Sequence, residues 1–282
     1  MAMEIIHDPA GFQARSLAWR AEGRSVGFVP TMGALHDGHY ALIERARRET
    51  DRLSASIFVN PIQFGPGEDL DCYPRTLEAD TEGCRSRGVD LLFVPRPKAI
   101  YPPGFQTRVR VDRLSRPMCG ERRPGHFEGV ATVVLKLLML AQPDAAYFGW
   151  KDAQQLLVVR RMARDLDLPV RIEAVETVRE PDGLAMSSRN AYLTAEERAE
   201  APRLWAGLSA AREAFESGAR VVAELIAVAR GPIDASPLAR IDYLEARCLE
   251  TLAPLEEAVA GGTLLAGAIM LGRTRLIDNI KL

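Results

Sequence analysis

The feature that most constrains the fold is a short stretch near the N-terminus in which apolar residues give way to glycines and then to a helical pattern. The apolar residues 26–29 predict a buried strand, and Pro30 is expected to end it because proline cannot donate a hydrogen bond within a sheet. After Gly33 and Gly38, residues 40–50 have apolar side chains at helical spacing. This order predicts an anion site, because unpaired backbone N–H groups face outward at a helix N-terminus.

Two histidines lie in the same turn, at positions 36 and 39. Residues at i and i+3 share a helix face, so His36 and His39 can both contact one phosphate. Three interpretations are open: an ordinary connection with two surface histidines, a zinc pair, and a nucleotide site. The zinc pair is the weakest, because zinc needs further ligands and His7 and His126 are the only other histidines.

Composition indicates a globular chain without a strong electrostatic partner. Its 282 residues are 47% hydrophobic and 26% charged, which is enough for a large core or two domains. The formal net charge of −2 gives no reason to expect a nucleic-acid or membrane partner. Scattered cysteines without a Cys-x-x-Cys pair, and an N-terminus without the apolar run of a signal peptide, predict a cytoplasmic protein.

The turn carries a family resemblance. The segment His36-Asp37-Gly38-His39 resembles the His-x-Gly-His signature of nucleotidyltransferases with a Rossmann-like α/β fold. The wider stretch of residues 30–39 is similar to the pantothenate synthetase, or pantoate–β-alanine ligase, family. The resemblance implies that ATP is bound along this stretch by Met32, Gly33, Ala34, Leu35, His36, Asp37, Gly38 and His39.

Strand and helix patterns alternate through the first two thirds of the chain. Further strands are expected at residues 53–59, 89–94, 109–111, 145–148 and 170–175. Further helices are expected at residues 76–87, 127–142 and 153–166. Repeated β–α units predict a parallel sheet with helices on both faces, and ligands bind beyond the carboxyl ends of such strands.

The pattern changes near residue 178. Alanine-rich helices are expected at residues 195–216 and 221–230, followed by strands at residues 241–246 and 264–277 with glycine turns at positions 261 and 272. Helices followed by antiparallel strands predict a smaller α+β domain. We therefore predict a Rossmann-like parallel-sheet domain at residues 1–177, which binds ATP and pantoate, and a smaller α+β lid domain at residues 178–282.

Two amides, Asn60 and Gln63, follow the second strand. They either satisfy their own loop or form a neutral pocket for a small polar substrate, and the residues alone leave both open. The resemblance implies that Gln63 contacts pantoate, near β-alanine. It also assigns Tyr73, Pro30 and Thr31 to the substrate site.

A basic segment at residues 118–130 opens the long apolar helix. Arg122, Arg123 and His126 either steady phosphates or are simply solvated. The family has a closely similar Arg-Pro-Gly-His-Phe-x-Gly-Val run, which implies that Arg123 and His126 border the substrate.

The segment Gly149-Trp150-Lys151-Asp152 lies between a strand and a helix. A lysine at a helix N-terminus suits a phosphate, although an exposed lysine at a helix start is the simpler alternative. The family has Gly-x-Lys-Asp here, with a glutamine three residues later. The resemblance implies ATP contacts at these four residues and a substrate contact at Gln155, while Trp150 stands where the family often has a polar residue.

The segment Met186-Ser187-Ser188-Arg189 follows a Pro-Asp-Gly turn. Its hydroxyls and guanidinium are either ordinary turn residues or phosphate ligands. It resembles the family's Met-Ser-Ser-Arg, which implies that it binds ATP together with Val178. Domain closure is expected to bring the segment onto the nucleotide.

The resemblance implies ATP-dependent joining of (R)-pantoate to β-alanine through a pantoyl adenylate, with AMP and diphosphate as products. It assigns the catalytic roles to His36, His39, Lys151, Ser187, Ser188 and Arg189. It also implies Mg²⁺ on the phosphates, with Asp80 as a candidate metal ligand, and a homodimer. Two alternatives remain: another nucleotidyltransferase of the same superfamily, or a non-catalytic nucleotide sensor.

Overall fold

The computed structural model describes residues 3–282 and divides into two compact units. The first comprises the residues up to Trp150 together with Gln154–Glu176, and the second comprises Lys151–Ala153 together with Thr177–Leu282. Each unit has its own sheet. Among the residues described, no helix combines the length and the apolar character needed to cross a membrane.

The described part of the first unit is built on one sheet of six strands. In chain order these are β1 (Glu4–Ile6), β2 (Val26–Thr31), β3 (Arg52–Ile57), β4 (Leu91–Phe93), β5 (Ala145–Gly149) and β6 (Arg171–Val175). Their order across the sheet is β1-β4-β3-β2-β5-β6, and each neighbouring pair is parallel. The prediction of a Rossmann-like parallel sheet is therefore confirmed.

Helices connect these strands. They are α1 (Pro9–Ala21), α2 (Asp37–Glu49), α3 (Leu77–Ser86), α4 (Pro97–Ile100), α5 (Cys119–Arg122), α6 (His126–Ala141) and α7 (Ala153–Asp165). Short 3₁₀ turns lie at Pro61–Gln63 and Trp150–Asp152. Neither β1 nor α1 was predicted, although α1 has a clear start signal: Asp8 caps it by accepting a hydrogen bond from Gly11 N, and Pro9 is its first residue.

A dense core holds this sheet rigid. Phe12 of α1 stacks on Phe93 of β4 with ring centroids 4.4 Å apart. Tyr147 of β5 is fully buried, and its hydroxyl donates to Glu49 Oε2 at 3.0 Å. Burial and this contact raise the pKa of Tyr147. Helix α6 is buried on most sides, as its apolar sequence predicts. Loops that leave the sheet therefore start from fixed positions.

Strand β2 marks the point where the strand order reverses. The chain continues from β2 to β3 and β4 on one side, whereas β5 and β6 lie on the other side. In open parallel sheets ligands bind beyond the carboxyl ends of the strands at such a point. Strand β2 ends at Thr31, directly before the histidine turn, and β5 ends at Gly149.

Two strand expectations were wrong. Strand β2 does not stop at Pro30 but continues to Thr31, with Pro30 in register with Ser56. Because β5 pairs with β2 only at Gly27 and Phe28, the ladder is one-sided at Pro30, where proline is tolerated. Residues 109–111 form no strand; instead the N–H of Val109 donates to Thr132 Oγ1 of α6 at 2.9 Å.

The described residues of the second unit form a smaller α+β fold, as predicted. Its helices are α8 (Ala195–Glu200), α9 (Arg203–Glu216) and α10 (Val222–Asp234), preceded by a 3₁₀ turn at Ser188–Tyr192. Its antiparallel strands β7 (Ala239–Cys248), β8 (Thr263–Leu271) and β9 (Thr274–Lys281) lie in chain order. The single helix expected at residues 195–216 was wrong: it is divided between Glu200 and Arg203, where Pro202 lacks an N–H to continue the helix.

Candidate active site

The histidine turn has an unusual backbone that a buried carboxylate holds in place. Gly33 and Ala34 both have positive φ, at +85° and +50°. Asp80 of α3 is only 2% exposed, and its two oxygens accept hydrogen bonds from Ala34 N at 2.9 Å and from Leu35 N at 2.8 Å. Thr76 Oγ1 also donates to Asp80, at 3.1 Å. Helix α3 therefore sets the shape of the turn.

These contacts bear on Asp80 as a candidate metal ligand. Both of its oxygens accept backbone N–H groups, so the carboxylate is engaged with the chain itself. Within residues 3–282, no group of three or more His, Cys, Asp or Glu side chains could hold a metal ion. What the structure assigns to Asp80 is the support of the turn at Ala34 and Leu35.

The two histidines of the turn cap helix α2 through matching atoms. His36 Nδ1 accepts from Gly38 N at 3.2 Å, and His39 Nδ1 accepts from His36 N at 3.4 Å. Their ring centroids are 4.2 Å apart. Because each Nδ1 is an acceptor, each neutral ring carries its proton on Nε2. Two imidazole N–H groups thus lie together at a helix N-terminus, which is the donor set that a phosphate needs.

A second cluster surrounds Gln63, which is 8% exposed. Asn60 Nδ2 donates to Gln63 Oε1 at 2.9 Å and to Gly129 O at 3.1 Å, while Asn60 Oδ1 accepts from the Tyr101 hydroxyl at 2.7 Å. Gln63 Nε2 is 3.2 Å from Met32 Sδ. Asn60 therefore orients the Gln63 amide, and Gln63 contacts the histidine turn through Met32.

Helix α6 packs against this cluster at a glycine. A Cβ on Gly129 would lie 2.4 Å from Ile62 O and 2.6 Å from Gln63 Cα, both of which are backbone atoms. Such contacts cannot be relieved by a side-chain rotation. Gly129 thus allows the 3₁₀ turn at Pro61–Gln63 to approach the helix.

This close approach makes a prediction for Gly129→Ala. We expect the free energy of unfolding to fall by about 1–3 kcal/mol and the Gln63 amide to be displaced. Gly231→Ala is the matched control, because Gly231 is also inside a helix and its Cβ would meet nothing within 4 Å. That control is expected to change the free energy of unfolding little, because the helical gain of alanine over glycine is opposed by Pro232, whose ring disfavours a helical residue with a Cβ before it. Urea unfolding measures both, and equal behaviour of the two variants would contradict the close approach.

His126 contacts the backbone of Gln63, and Arg123 contacts His126. Arg123 Nη1 is 3.1 Å from His126 Nε2, and because arginine can only donate, Nε2 accepts. His126 Nδ1 therefore carries the proton and donates to Gln63 O at 2.9 Å. Arg123 also binds Glu68 with two hydrogen bonds, at 2.8 and 2.5 Å. This chain of contacts joins the start of α6 to both ends of the loop at residues 63–68.

The Glu68–Arg123 pair predicts a pH dependence of stability. Burial raises the pKa of Glu68, but hydrogen bonds and charge from Arg123 outweigh it, so the net shift is downward. A lowered carboxyl pKa stabilises the fold above the unfolded value, about 4.3, and that contribution is lost as pH falls through the folded value.

We therefore expect Glu68→Gln to lose up to about 1 kcal/mol at pH 7 and to match the unmodified chain in strong acid. Glu82→Gln, which removes an exposed partner of Arg85, is the control with little expected change at either pH. Unfolding free energies of the three proteins between pH 3 and pH 7 make the measurement. A difference that persists unchanged in acid would contradict the role of this pair.

The remaining assigned residues of the first unit have simpler surroundings. Tyr73 is buried, and its ring lies edge-on to Phe64 at 6.1 Å. Thr31 and Trp150 are buried, whereas Gln155 is partly exposed at the start of α7. Its neighbour Gln154, which is not among the predicted site residues, is buried; its amide donates to Leu114 O and Pro117 O and accepts from Cys119 N.

The second unit contains the other residues assigned to ATP. Lys151 O accepts from Asn279 Nδ2 at 2.9 Å, and Lys151 Nζ is 3.9 Å from Asp152. Val178 O accepts from Met186 N at 3.0 Å, which closes a small hairpin. Ser187 Oγ accepts from Arg189 N at 3.3 Å and caps the following 3₁₀ turn.

Comparison with known proteins identifies the family. The family model for pantoate–β-alanine ligase matches residues 4–281. The pantothenate synthetase of Trichlorobacter lovleyi is 50% identical over 280 residues, which is 99% of each chain. That of Heliobacterium modesticaldum is 51% identical over 278 residues, again 99% of each chain. The chain belongs to the pantoate–β-alanine ligase family.

Solved structures of this ligase family agree with the fold. The pantothenate synthetase of Thermus thermophilus superposes with a TM-score of 0.94 at 50% identity, covering 99% of each chain. The pantoate–β-alanine ligase of Francisella tularensis was solved in complex with "Beta-gamma ATP" and β-alanine. It has a TM-score of 0.82 at 33% identity and covers 99% of this chain and 98% of its own. The resemblance read from the sequence motifs is therefore confirmed.

Several supporting residues of this ligase were missed. Tyr101, Glu68 and Asn279 each hold an assigned residue in place, yet the sequence gives no local signal for them. Gly129 lies within the quoted run of residues 123–130 but was not singled out there. Asn60 and Asp80 also support assigned residues, and both were named for other roles. The contacts involved join residues that are far apart in the chain, such as Tyr101 with Asn60 and Asn279 with Lys151.

Proposed function

We propose that this member of the pantoate–β-alanine ligase family joins (R)-pantoate to β-alanine and converts ATP to AMP and diphosphate. The observation that supports this most is the contact between Gln63 and Met32. It links the amide assigned to pantoate with the turn assigned to ATP, as a reaction between a carboxylate and a nucleotide requires. The Francisella ligase complex, with its nucleotide and β-alanine, is consistent with the same chemistry.

The first step forms a mixed anhydride. A pantoate carboxylate oxygen attacks the α-phosphorus of ATP. The bond between that phosphorus and the α,β-bridging oxygen breaks, and diphosphate leaves with the bonding pair. Negative charge that develops on the phosphates is the main barrier, so fixed donors aimed there supply most of the catalysis. We assign this role to His36, His39, Lys151 and the segment at residues 187–189, which contains Ser187, Ser188 and Arg189.

The second step transfers the acyl group. The neutral amine of β-alanine attacks the acyl carbon, AMP leaves with the former carboxylate oxygen, and the ammonium loses a proton. His39 Nδ1 is occupied by the His36 N–H and its Nε2 carries a proton, so the proton of the ammonium passes to water. We assign the proton handling at this step to His39 as a donor, with Nε2–H directed to the phosphate of the departing AMP. Gln63 holds the pantoyl group, with Pro30, Thr31 and Tyr73 around it, and the exclusion of water protects the anhydride from hydrolysis. No protein nucleophile takes part.

Three further properties belong to the proposal. Mg²⁺ accompanies ATP, and the nucleotide phosphates supply oxygen ligands for it, as is usual for this ion. The chain is expected to form a homodimer, which a mass measurement in solution tests. The expected location is the cytoplasm.

The test is exchange of labelled diphosphate into ATP in the presence of pantoate and without β-alanine. A ligase that works through pantoyl adenylate exchanges the label only when pantoate is present. A non-catalytic nucleotide sensor gives no exchange under any condition. Another nucleotidyltransferase exchanges label only with a phosphate ester in place of pantoate.

A further inference from the structure

Two adjacent residues of the last strand, Asp278 and Asn279, bind two segments from distant parts of the chain. Both side chains are 4% exposed. Asn279 Nδ2 donates to Lys151 O at 2.9 Å, and Asn279 N donates to Asp278 Oδ1 at 2.8 Å. Asp278 in turn accepts two hydrogen bonds from Arg179, at 2.5 and 3.0 Å. Two neighbouring residues of β9 thus bind Lys151 and Arg179, the latter near the start of the hairpin that Val178 and Met186 close.

Arg179 also connects β9 to the serine segment, residues 187–189, through the hairpin at residues 178–186. Residues 179 and 185 pair as an antiparallel bridge, and Arg179 Nη1 also donates to Gly183 O at 3.0 Å. The guanidinium lies 3.4 Å from the centroid of the Trp205 ring. From the 3₁₀ turn that carries the serines, Asn190 Nδ2 donates to Ala185 O at 3.2 Å. The hairpin is thereby fixed to β9 at one end and to the serine segment at the other.

The Asp278–Arg179 ion pair is buried, so each charge depends on the other. Burial raises the pKa of Asp278, and Arg179 opposes that shift. The carboxylate therefore depends on its guanidinium partner, and the pair keeps a fixed geometry. A buried ion pair with two hydrogen bonds fixes the distance and orientation of the two side chains more strictly than an exposed ion pair does.

We infer that Asp278 and Asn279 are positioning residues that hold Lys151 and the segment at residues 187–189 in one arrangement for binding phosphate. Lys151 therefore packs with the second unit, although it follows β5 of the first unit in sequence. This inference rests on the proposed function, because it takes these segments to bind the phosphates of ATP. Neither residue touches the reacting atoms; each acts through the backbone of another segment.

The two half-reactions separate positioning from a purely structural role. Adenylate formation needs the triphosphate to be held in line, whereas reaction of preformed pantoyl adenylate with β-alanine involves no β- or γ-phosphate. Asn279→Ala removes the donor to Lys151 O. We expect it to lower pantoate-dependent diphosphate exchange by about 10- to 100-fold, the range for a small misplacement of a catalytic group, and to leave the second half-reaction within about 2-fold.

A double-mutant cycle tests the route through the lysine. If Asn279 acts through Lys151, then Asn279→Ala causes no further loss of exchange in a Lys151→Ala background. The matched control is Asp242→Asn, which breaks an ion pair with Arg275 in the same sheet and lies outside both segments in sequence. It is expected to leave both half-reactions unchanged.

The outcomes are distinct. Absence of exchange in the unmodified protein overturns the proposed function itself. An active protein whose Asn279→Ala variant exchanges normally, or loses both half-reactions equally, overturns the positioning role. Additive losses in the cycle overturn the route through Lys151. Asp278→Ala leaves a buried guanidinium unpaired and is expected to unfold more readily, so Asn279 is the residue to test.

Discussion

Replacing His39 by alanine is expected to lower turnover by about 10²- to 10⁴-fold, the range for losing one acid–base or charge-stabilising group. The reason is the position of the ring. His39 Nδ1 accepts the N–H of His36, so its Nε2 carries the proton and presents it at the N-terminus of α2. Steady-state kinetics with all three substrates measure the loss.

His39 also caps a helix, so the variant needs a control that separates capping from chemistry. Glutamine at this third helical position accepts the same backbone N–H in an ordinary capping box. His39→Gln is therefore expected to keep the cap and still lose most of the turnover. His7→Ala, which removes an exposed histidine bonded to Val94 O, is expected to have no kinetic effect. Full activity in His39→Gln would remove the imidazole from the mechanism.

Asp80→Ala is expected to be the most damaging change to the turn. It leaves the N–H groups of Ala34 and Leu35 without their charged acceptor and removes the bond from Thr76. Hydrogen bonds to charged groups contribute about 1.5–3 kcal/mol each, and buried donors without partners are costly. We expect a loss of about 3 kcal/mol in the free energy of unfolding, together with loss of exchange activity.

Conservative and neighbouring variants sharpen that result. Asp80→Asn keeps one acceptor but turns its amide N–H₂ toward the other backbone N–H, so an intermediate loss is expected. Glu78→Ala changes an exposed acid in the first turn of the same helix and is expected to alter neither stability nor exchange. An Asp80→Asn protein that is as stable and as active as the unmodified chain would contradict the supporting role of the carboxylate.

The scaffold was predictable from the sequence because its signals are local. The apolar run into β2, the glycines after it and the helical spacing of α2 lie within a few residues of one another. Alternating patterns of this kind are sufficient for a parallel sheet and for the change to α+β character. The family motifs lie in the loops that follow these strands, and for this reason the family could be recognised as well.

The supporting contacts were not predictable because they are non-local. Asp80 binds a backbone N–H 46 residues away, and Asn279 binds a carbonyl 128 residues away. Nothing in the neighbouring sequence marks either side chain for that purpose. The end of β2 could not be predicted for the same reason. Pro30 is tolerated within the strand because β5 does not extend far enough to pair with it. Pairing between distant segments decides such cases.

The central claim, that the pantoate carboxylate is activated on the α-phosphate, is tested most directly by oxygen transfer. Pantoate labelled with ¹⁸O in its carboxylate is turned over with ATP and β-alanine, and the products are analysed by mass spectrometry. The account predicts that AMP gains one labelled oxygen per turnover and that diphosphate gains none. Unlabelled AMP, with the label found in inorganic phosphate or in diphosphate, would contradict it.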